Sequence, residues 1–126
     1  MYLLDTNVVI GFLNASLPET GMQFLNDIID NSSCISVITK MEALGFNFET
    51  AREQNTMEAF IGNATMLDME NMIVIKTIEI RKSIKITLPD AIIAATALVY
   101  DLTLLSRNTK DFIDVPNLKL KNPWEA

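Results

Sequence analysis

The stretch that decides the fold covers positions 88–97 and reads Leu88-Pro89-Asp90-Ala91-Ile92-Ile93-Ala94-Ala95-Thr96-Ala97. Proline suits the first turn of a helix, and the residues behind it are apolar on every side, which predicts a buried helix over positions 90–101. Asp90 stands at the head of this helix, where helix capping would account for it. The many small residues that follow also predict tight packing beneath a functional site.

Short apolar runs and helical patterns alternate on either side of this helix. We predict strands at positions 2–4, 35–38, 72–75, 103–105 and 118–120. Further helices are expected at 8–13, from Pro18, after a cap at Thr39, at about 49–67 and at 78–84. The alternation predicts one α/β domain over residues 1–126, a three-layer α/β/α arrangement with a central parallel sheet of four to five strands. Ligands of such sheets bind at the carboxyl ends of the strands.

Four acidic residues fall at that predicted edge. Asp5 ends the first strand, and Glu42 lies on the helix after the second. Asp90 heads the buried helix, and Asp111 follows the fourth strand, with Asp114 as an alternative. A third candidate for this last position is Asn108, so the sequence leaves the choice open.

Asp5 and Glu42 also have structural interpretations. Asp5 suits a helix N-terminus, where the dipole favours negative charge. It would also suit an aspartyl nucleophile, although position 7 is Asn where that chemistry requires a second acid. Glu42 has the spacing of a capping box with Thr39. Its apolar flanks predict partial burial, and a buried carboxylate requires a partner.

The composition excludes several classes of enzyme. The chain has no histidine, which removes His-containing zinc sites, Ser-His-Asp and Cys-His triads, and nucleases with an imidazole base. Its single cysteine, Cys34, lies in an apolar run and predicts a buried thiol in a reduced, cytoplasmic protein. No apolar run approaches the roughly 20 residues that span a bilayer, so no membrane partner is expected. The net charge of −6 indicates either ordinary solubility or negative charge concentrated at a cation site.

Together these segments resemble the PIN-domain family. The resemblance rests on Glu42 and on three segments in the family's order and spacing: Leu4-Asp5-Thr6-Asn7, the stretch at 88–97, and Ser106-Arg107-Asn108-Thr109-Lys110-Asp111-Phe112. The ending Leu120-Lys121-Asn122-Pro123-Trp124 is similar to the tail of the VapC-type toxin ribonucleases within that family. The likeness covers nearly the whole chain.

The resemblance implies an endoribonuclease that depends on Mg²⁺ or Mn²⁺ and is inhibited by a cognate antitoxin. The catalytic and metal-binding acids would be Asp5, Glu42, Asp90 and Asp111. The supporting polar residues would be Thr6, Asn7, Ser106 and Asn108. Apart from the resemblance, we expect basic residues to guide the RNA, namely Arg81, Lys82, Lys85, Arg107 and Lys110.

A cation among carboxylates lowers the pKa of a bound water and neutralises charge on a phosphate, which fits phosphodiester hydrolysis. The family likeness implies products with a 5′-phosphate and a 3′-hydroxyl, and we expect a homodimer. Three alternatives stay open: a housekeeping RNA-processing nuclease, an inactive PIN-like binding module, and an aspartyl-phosphate phosphatase or receiver domain.

Overall fold

The computed structural model of the chain describes residues 1–125 and contains one parallel sheet with helices on both faces. The strands are β1 (Tyr2–Leu4), β2 (Ser33–Ser36), β3 (Met66–Leu67), β4 (Thr103–Leu105) and β5 (Lys119–Lys121). Their order in the sheet is β3-β2-β1-β4-β5, and every pairing is parallel. The central strand β1 pairs with β2 on one side and β4 on the other, so the residues that follow these strands meet at one edge of the sheet.

Six α-helices cover the sheet within residues 1–125. They are α1 (Thr6–Leu13), α2 (Glu19–Ile28), α3 (Val37–Leu44), α4 (Ala51–Asn63), α5 (Asn71–Ser83) and α6 (Leu88–Val99). One apolar core joins α5 and α6 to the sheet, and a second joins α1, α2 and α4 to its other face. The predicted three-layer α/β/α class is therefore confirmed. None of the helices in this part of the chain has the length and apolar character to cross a bilayer.

The helix α6 confirms the prediction from its sequence. Every residue from position 91 to 97 is buried, and five of these seven are alanine or threonine, which allows close approach to α5 and the sheet. The helix begins two residues earlier than predicted, because Thr87 is its N-cap and accepts a 3.4 Å hydrogen bond from the backbone N–H of Asp90. Asp90 thus lies in the first turn, where a negative charge is favoured by the helix dipole.

The third strand was placed wrongly by the sequence pattern. Positions 72–75 lie inside α5, where Ile73 is buried while Met72 and Ile75 are exposed. The strand β3 instead consists of Met66 and Leu67, at the end of the predicted helix 49–67. That helix stops at Asn63, and the two-residue edge strand is too short to show a period in the sequence.

The second strand and the following helix are also shifted. The strand β2 ends at Ser36, and positions 37 and 38, predicted as strand, open α3. The Ser36 hydroxyl accepts a 3.2 Å hydrogen bond from the backbone N–H of Thr39, so serine is the cap and the predicted cap at Thr39 is wrong. Thr39 is fully buried in the first turn of α3. The predicted capping box between Thr39 and Glu42 is therefore absent from this helix, and Glu42 is exposed rather than partly buried.

Candidate active site at the carboxyl edge of the sheet

Asp5 is the buried centre of the site, with 6% of its surface exposed. It follows β1 directly, and its backbone N–H donates to the carbonyl of Leu105 on β4 at 2.9 Å, which fixes it to the sheet. One carboxylate oxygen, Oδ1, accepts from the backbone N–H of Thr6 at 2.8 Å. The other, Oδ2, accepts from the Ser106 hydroxyl at 2.7 Å and from the Asn7 amide at 3.1 Å. The position of the Asp5 carboxylate is therefore fixed by the ends of both β1 and β4.

Ser106 and Asn7 connect Asp5 to the loop after β4. The Ser106 side chain is completely buried, and its oxygen accepts from the backbone N–H of Asn108 at 3.1 Å while it donates to Asp5. The Asn7 Oδ1 atom accepts from the backbone N–H of Arg107 at 3.1 Å. Because each of these polar groups is paired, the loop is held rigidly against the start of α1.

Glu42 reaches the site from α3 through Thr6. The Thr6 hydroxyl donates to Glu42 Oε1 at 2.6 Å, and its oxygen lies 3.1 Å from the hydroxyl oxygen of Thr39. A short hydrogen bond to a carboxylate is among the stronger polar contacts in proteins. Sequence reasoning identified Thr6 as polar support but missed Thr39, because a threonine near a predicted helix start is most simply explained as a cap.

The four predicted acids share one electrostatic neighbourhood. Burial is the main cause that raises the pKa of Asp5, and Asp90 and Glu42 raise it further, against the lowering effect of the Ser106 and Thr6 hydrogen bonds. Burial is also the main cause that raises the pKa of Asp90, with Asp111 and Glu42 adding to it and Thr87 opposing it. Like charges at close range disfavour the ionised forms. The fold therefore brings together four residues that are up to 106 positions apart in the chain.

The sequence of this chain also matches a known family. The PIN domain profile matches residues 2–118. The chain belongs to the PIN-domain family. The ribonuclease VapC2 of Rickettsia felis is 28% identical over 134 residues, which cover 99% of this PIN domain and 98% of that protein. The resemblance predicted from the sequence is thus confirmed.

Solved structures of toxin–antitoxin complexes are similar to this PIN domain along its whole length. A toxin–antitoxin complex from Klebsiella pneumoniae has a chain with a TM-score of 0.79 and 29% identity, covering 100% of both chains. The complex VapBC2 from Rickettsia felis, bound to a DNA fragment from its promoter, has a chain with a TM-score of 0.81 and 25% identity, covering 96% of this chain and 97% of that one.

The donor chemistry of this PIN domain fits a hard divalent cation. Within residues 1–125, no three Asp, Glu or Cys side chains converge as the complete ligand set of one ion, although the acids are close enough to raise the pKa of Asp5 and Asp90. Mg²⁺ sites usually combine one or two protein carboxylates with waters and the phosphates of a substrate, so a complete protein ligand set is not required for such an ion. The roles of the individual acids stay a prediction.

The remaining predicted residues surround this cluster. Asn108 contributes its backbone N–H to Ser106, and its side chain is exposed. The five predicted RNA-guiding cations are all exposed: Arg81 and Lys82 in the last turn of α5, Lys85 in the connection to α6, and Arg107 and Lys110 after β4. Arg107 is the one of these five that an aromatic ring contacts, since its guanidinium carbon lies 4.9 Å from the ring centroid of Trp124 in the described structure.

Proposed function

We propose that this PIN domain is a metal-dependent endoribonuclease and the toxin of a VapC-type toxin–antitoxin pair. The observation that carries the proposal is Asp5, which is buried at the carboxyl edge of the sheet and hydrogen-bonded through both carboxylate oxygens, with Glu42, Asp90 and Asp111 near enough for electrostatic interaction within the set. Closely spaced carboxylates that stay ionised require a cation, and oxygen ligands prefer Mg²⁺ or Mn²⁺. The similarity to ribonuclease VapC2 and to toxin–antitoxin complexes supports RNA as the substrate and an antitoxin as the partner.

The cation would be held by carboxylates from this set of four, and when bound it supplies an activated water and neutralises charge on the phosphate. Asp5 provides a fixed ligand position because Ser106 and Thr6 hold both of its oxygens. The Thr6 hydroxyl orients Glu42 toward the same edge. Since the chain has no histidine, the proton of the attacking water passes to a carboxylate or to solvent.

Asn7 speaks against the aspartyl-phosphate alternative. It occupies the position at which that chemistry requires a second acid. Its amide donates to Asp5 Oδ2 instead, beside the hydrogen bonds that Asp5 accepts from Thr6 and Ser106. Metal binding tolerates these contacts, because carboxylates that bind metals are usually hydrogen-bonded as well.

An apolar cavity next to α3 offers a site for the antitoxin. It has a volume of about 480 Å³, lies between α1, α3 and α4, and is lined by Leu13, Phe46, Phe48 and Met57 among others. Phe46 is 59% exposed, and the cavity adjoins the helix that carries Glu42. An apolar antitoxin segment in this cavity could place an arginine among the acids and compete with the cation.

A second apolar surface suits the proposed homodimer. Met72, Ile75 and Ile78 are each more than half exposed on α5, whereas most of the aromatic and apolar residues of α1 and α2 pack against the core. Contiguous exposed apolar groups commonly mark protein interfaces. We therefore propose that the homodimer contact lies on α5.

The ribonuclease proposal is tested by incubating the purified chain with single-stranded RNA and Mg²⁺ and analysing the ends of the products. We expect internal cleavage that leaves a 5′-phosphate and a 3′-hydroxyl. The matched variant is Asp90→Asn, which keeps the size of the side chain and its place in α6 but removes the charge. Equal cleavage by this variant, or no cleavage by the wild-type chain at any RNA tested, would reject the proposal.

The toxin proposal needs a separate experiment in cells. Expression of the wild-type chain should arrest growth, expression of Asp5→Ala should not, and co-expression of the neighbouring gene should restore growth. A wild-type chain that cleaves RNA in vitro but is harmless when expressed in soluble form would favour a housekeeping RNA-processing nuclease. An inactive binding module would show neither cleavage nor growth arrest.

A further inference from the structure

The C-terminal segment contains the aromatic ring that contacts a cation at the edge of the site. The guanidinium carbon of Arg107 lies 4.9 Å from the ring centroid of Trp124, the single tryptophan of the chain. Three residues earlier, the ammonium nitrogen of Lys121 lies 4.3 Å from the ring centroid of Phe24. Both are cation–π contacts, but Arg107 directly follows Ser106, which donates to Asp5. The two contacts form a pair of the same kind on different rings, and Lys121 is connected to the site through its backbone carbonyl, which accepts from the backbone N–H of Ser106 at 3.1 Å.

The Trp124 ring is fixed by its packing against α1. A Cβ atom at Gly11 would lie 2.6 Å from Cζ2 and 2.7 Å from Cη2 of the ring, so the ring occupies the space that glycine leaves open. The backbone N–H of Trp124 donates to the Asn122 side chain at 2.9 Å. A rigid, half-buried ring of this kind is a suitable platform for a flexible side chain.

Arg107 is tied to the same site through its backbone. Its N–H donates to Asn7, whose amide donates to Asp5, so two hydrogen bonds separate the Arg107 backbone from the buried carboxylate. The side chain is exposed, and the ion pairs of residues 1–125 join Lys76 to Glu79 and Lys119 to Asp101 without including it. Its charge is available to a ligand.

We propose that Trp124 is a positioning residue that holds Arg107 ready to bind a phosphate of the RNA next to the cleaved bond. The proposal rests on the ribonuclease function above. A guanidinium that stacks by its face leaves its in-plane N–H groups free for two parallel bonds to a phosphate.

The test is a double-mutant cycle on the kinetics of RNA cleavage. Arg107→Gln should raise KM by about tenfold, since it removes a charged contact to phosphate. Trp124→Leu should raise KM by about two- to fivefold, the effect expected of a cation–π contact at a partly exposed site. Both variants should keep kcat within about twofold, because binding is weakened without a change in the chemical step. In the Arg107→Gln background, Trp124→Leu should cause no further increase in KM.

Two controls separate positioning from folding. Lys121→Gln removes the other cation–π contact of the segment and should leave KM unchanged. Trp124→Phe keeps an aromatic face and should retain most of the affinity of the wild-type chain. If Trp124→Leu does not fold, the phenylalanine variant takes its place, and its smaller increase in KM must likewise disappear in the Arg107→Gln background.

Fluorescence of the single tryptophan provides a direct second measurement. Addition of a single-stranded RNA oligonucleotide should change the emission of the wild-type chain, and Arg107→Gln should abolish the change at saturating RNA. Equal increases in KM on Trp124→Leu with and without Arg107 would overturn the proposal and leave Trp124 a packing residue. A wild-type chain that cleaves no RNA would instead reject the ribonuclease function, so the two failures are distinguishable.

Discussion

The inner and outer halves of the acidic site are built differently. The inner half is Asp5 with its partners Thr6, Asn7 and Ser106, and Asp5 accepts three hydrogen bonds. The outer half consists of Glu42, Asp90 and Asp111. Glu42 and Asp111 are exposed, and Glu42 is held by the Thr6 hydroxyl.

For the proposed cation, this difference predicts a division of roles between the two halves. Burial makes the charge of Asp5 costly, and its hydrogen bonds fix the carboxylate in one place, so Asp5 would determine where the cation binds. Glu42 and Asp111 are both exposed and screened by solvent, and Asp111, which lacks the hydrogen bond that holds Glu42, would be the freer of the two to adjust to a cation and a substrate. Substitutions in the inner half should therefore have larger effects on catalysis than substitutions in the exposed part of the outer half.

The largest effect is expected from Asp5→Asn. Activity should fall by on the order of 10² or more, because a fixed charge at the cation is lost. The melting temperature should fall modestly, because the neutral side chain avoids the cost of a buried charge but its Nδ2 atom faces donors from which the carboxylate accepted. Cleavage rates and thermal unfolding of the two proteins test both points. Loss of folding together with activity would show that Asp5 is mainly a structural cap.

A smaller effect is expected from Asp111→Asn in the outer half. We predict about a tenfold fall in kcat/KM, since an exposed and adjustable carboxylate contributes less than a fixed one. The matched control is Asp114→Asn, which lies on the same exposed stretch and should retain activity. A larger loss in the control would assign the fourth acid to Asp114 and reverse our choice.

Ser106→Ala should change the pH dependence of cleavage. The Ser106 hydroxyl lowers the pKa of Asp5, so its removal leaves that pKa higher and the acid protonated up to a higher pH. The acidic limb of the pH–activity profile should move to higher pH, and the loss of activity should be greatest in mildly acidic buffer. Ser83→Ala is the control, because its hydroxyl donates within its own helix to the Glu79 carbonyl. An unchanged profile would show that Asp5 does not control this limb.

The smallest effect is expected for the pH dependence of the free energy of unfolding of the metal-free chain. The pKa values of Asp5 and Asp90 are raised above 3.8 in the folded state, so the folded chain binds more protons than the unfolded chain between that value and the raised values. The free energy of unfolding should therefore fall as the pH rises through this range. Asp90→Asn should flatten the dependence, as measured by thermal unfolding in a chelator. A slope identical to that of the wild-type chain would contradict the raised pKa of Asp90.

Local sequence signals were sufficient for α6 and for the centre of the sheet. Pro89 and the apolar run behind it indicated one buried helix, and the short runs before Asp5 and Ser106 indicated two strands. The signals failed where two patterns compete. The β-branched run at 72–75 has high strand propensity, but packing of Ile73 against α6 places it in a helix.

Contacts between residues far apart in the chain could not be predicted from local sequence patterns. The Ser106 hydroxyl meets Asp5 across 101 positions, and Thr6 meets Glu42 across 36. The predicted parallel sheet had already placed Asp5 and Glu42 at one edge, but only the family resemblance added Thr6 and Ser106 to them. The support from Thr39 and the contact of Trp124 with Arg107 had no local signal, because each depends on how helices pack on the sheet.

The most direct test of the account measures the rate of RNA cleavage during a metal titration. The chain is treated with excess EDTA and dialysed, and Mg²⁺ or Mn²⁺ is then added in steps. We predict no cleavage in the chelator, recovery with either cation, and no recovery by Asp5→Asn at the concentrations that saturate the wild-type chain. Undiminished cleavage in EDTA would contradict the claim that the four acids act through a bound cation.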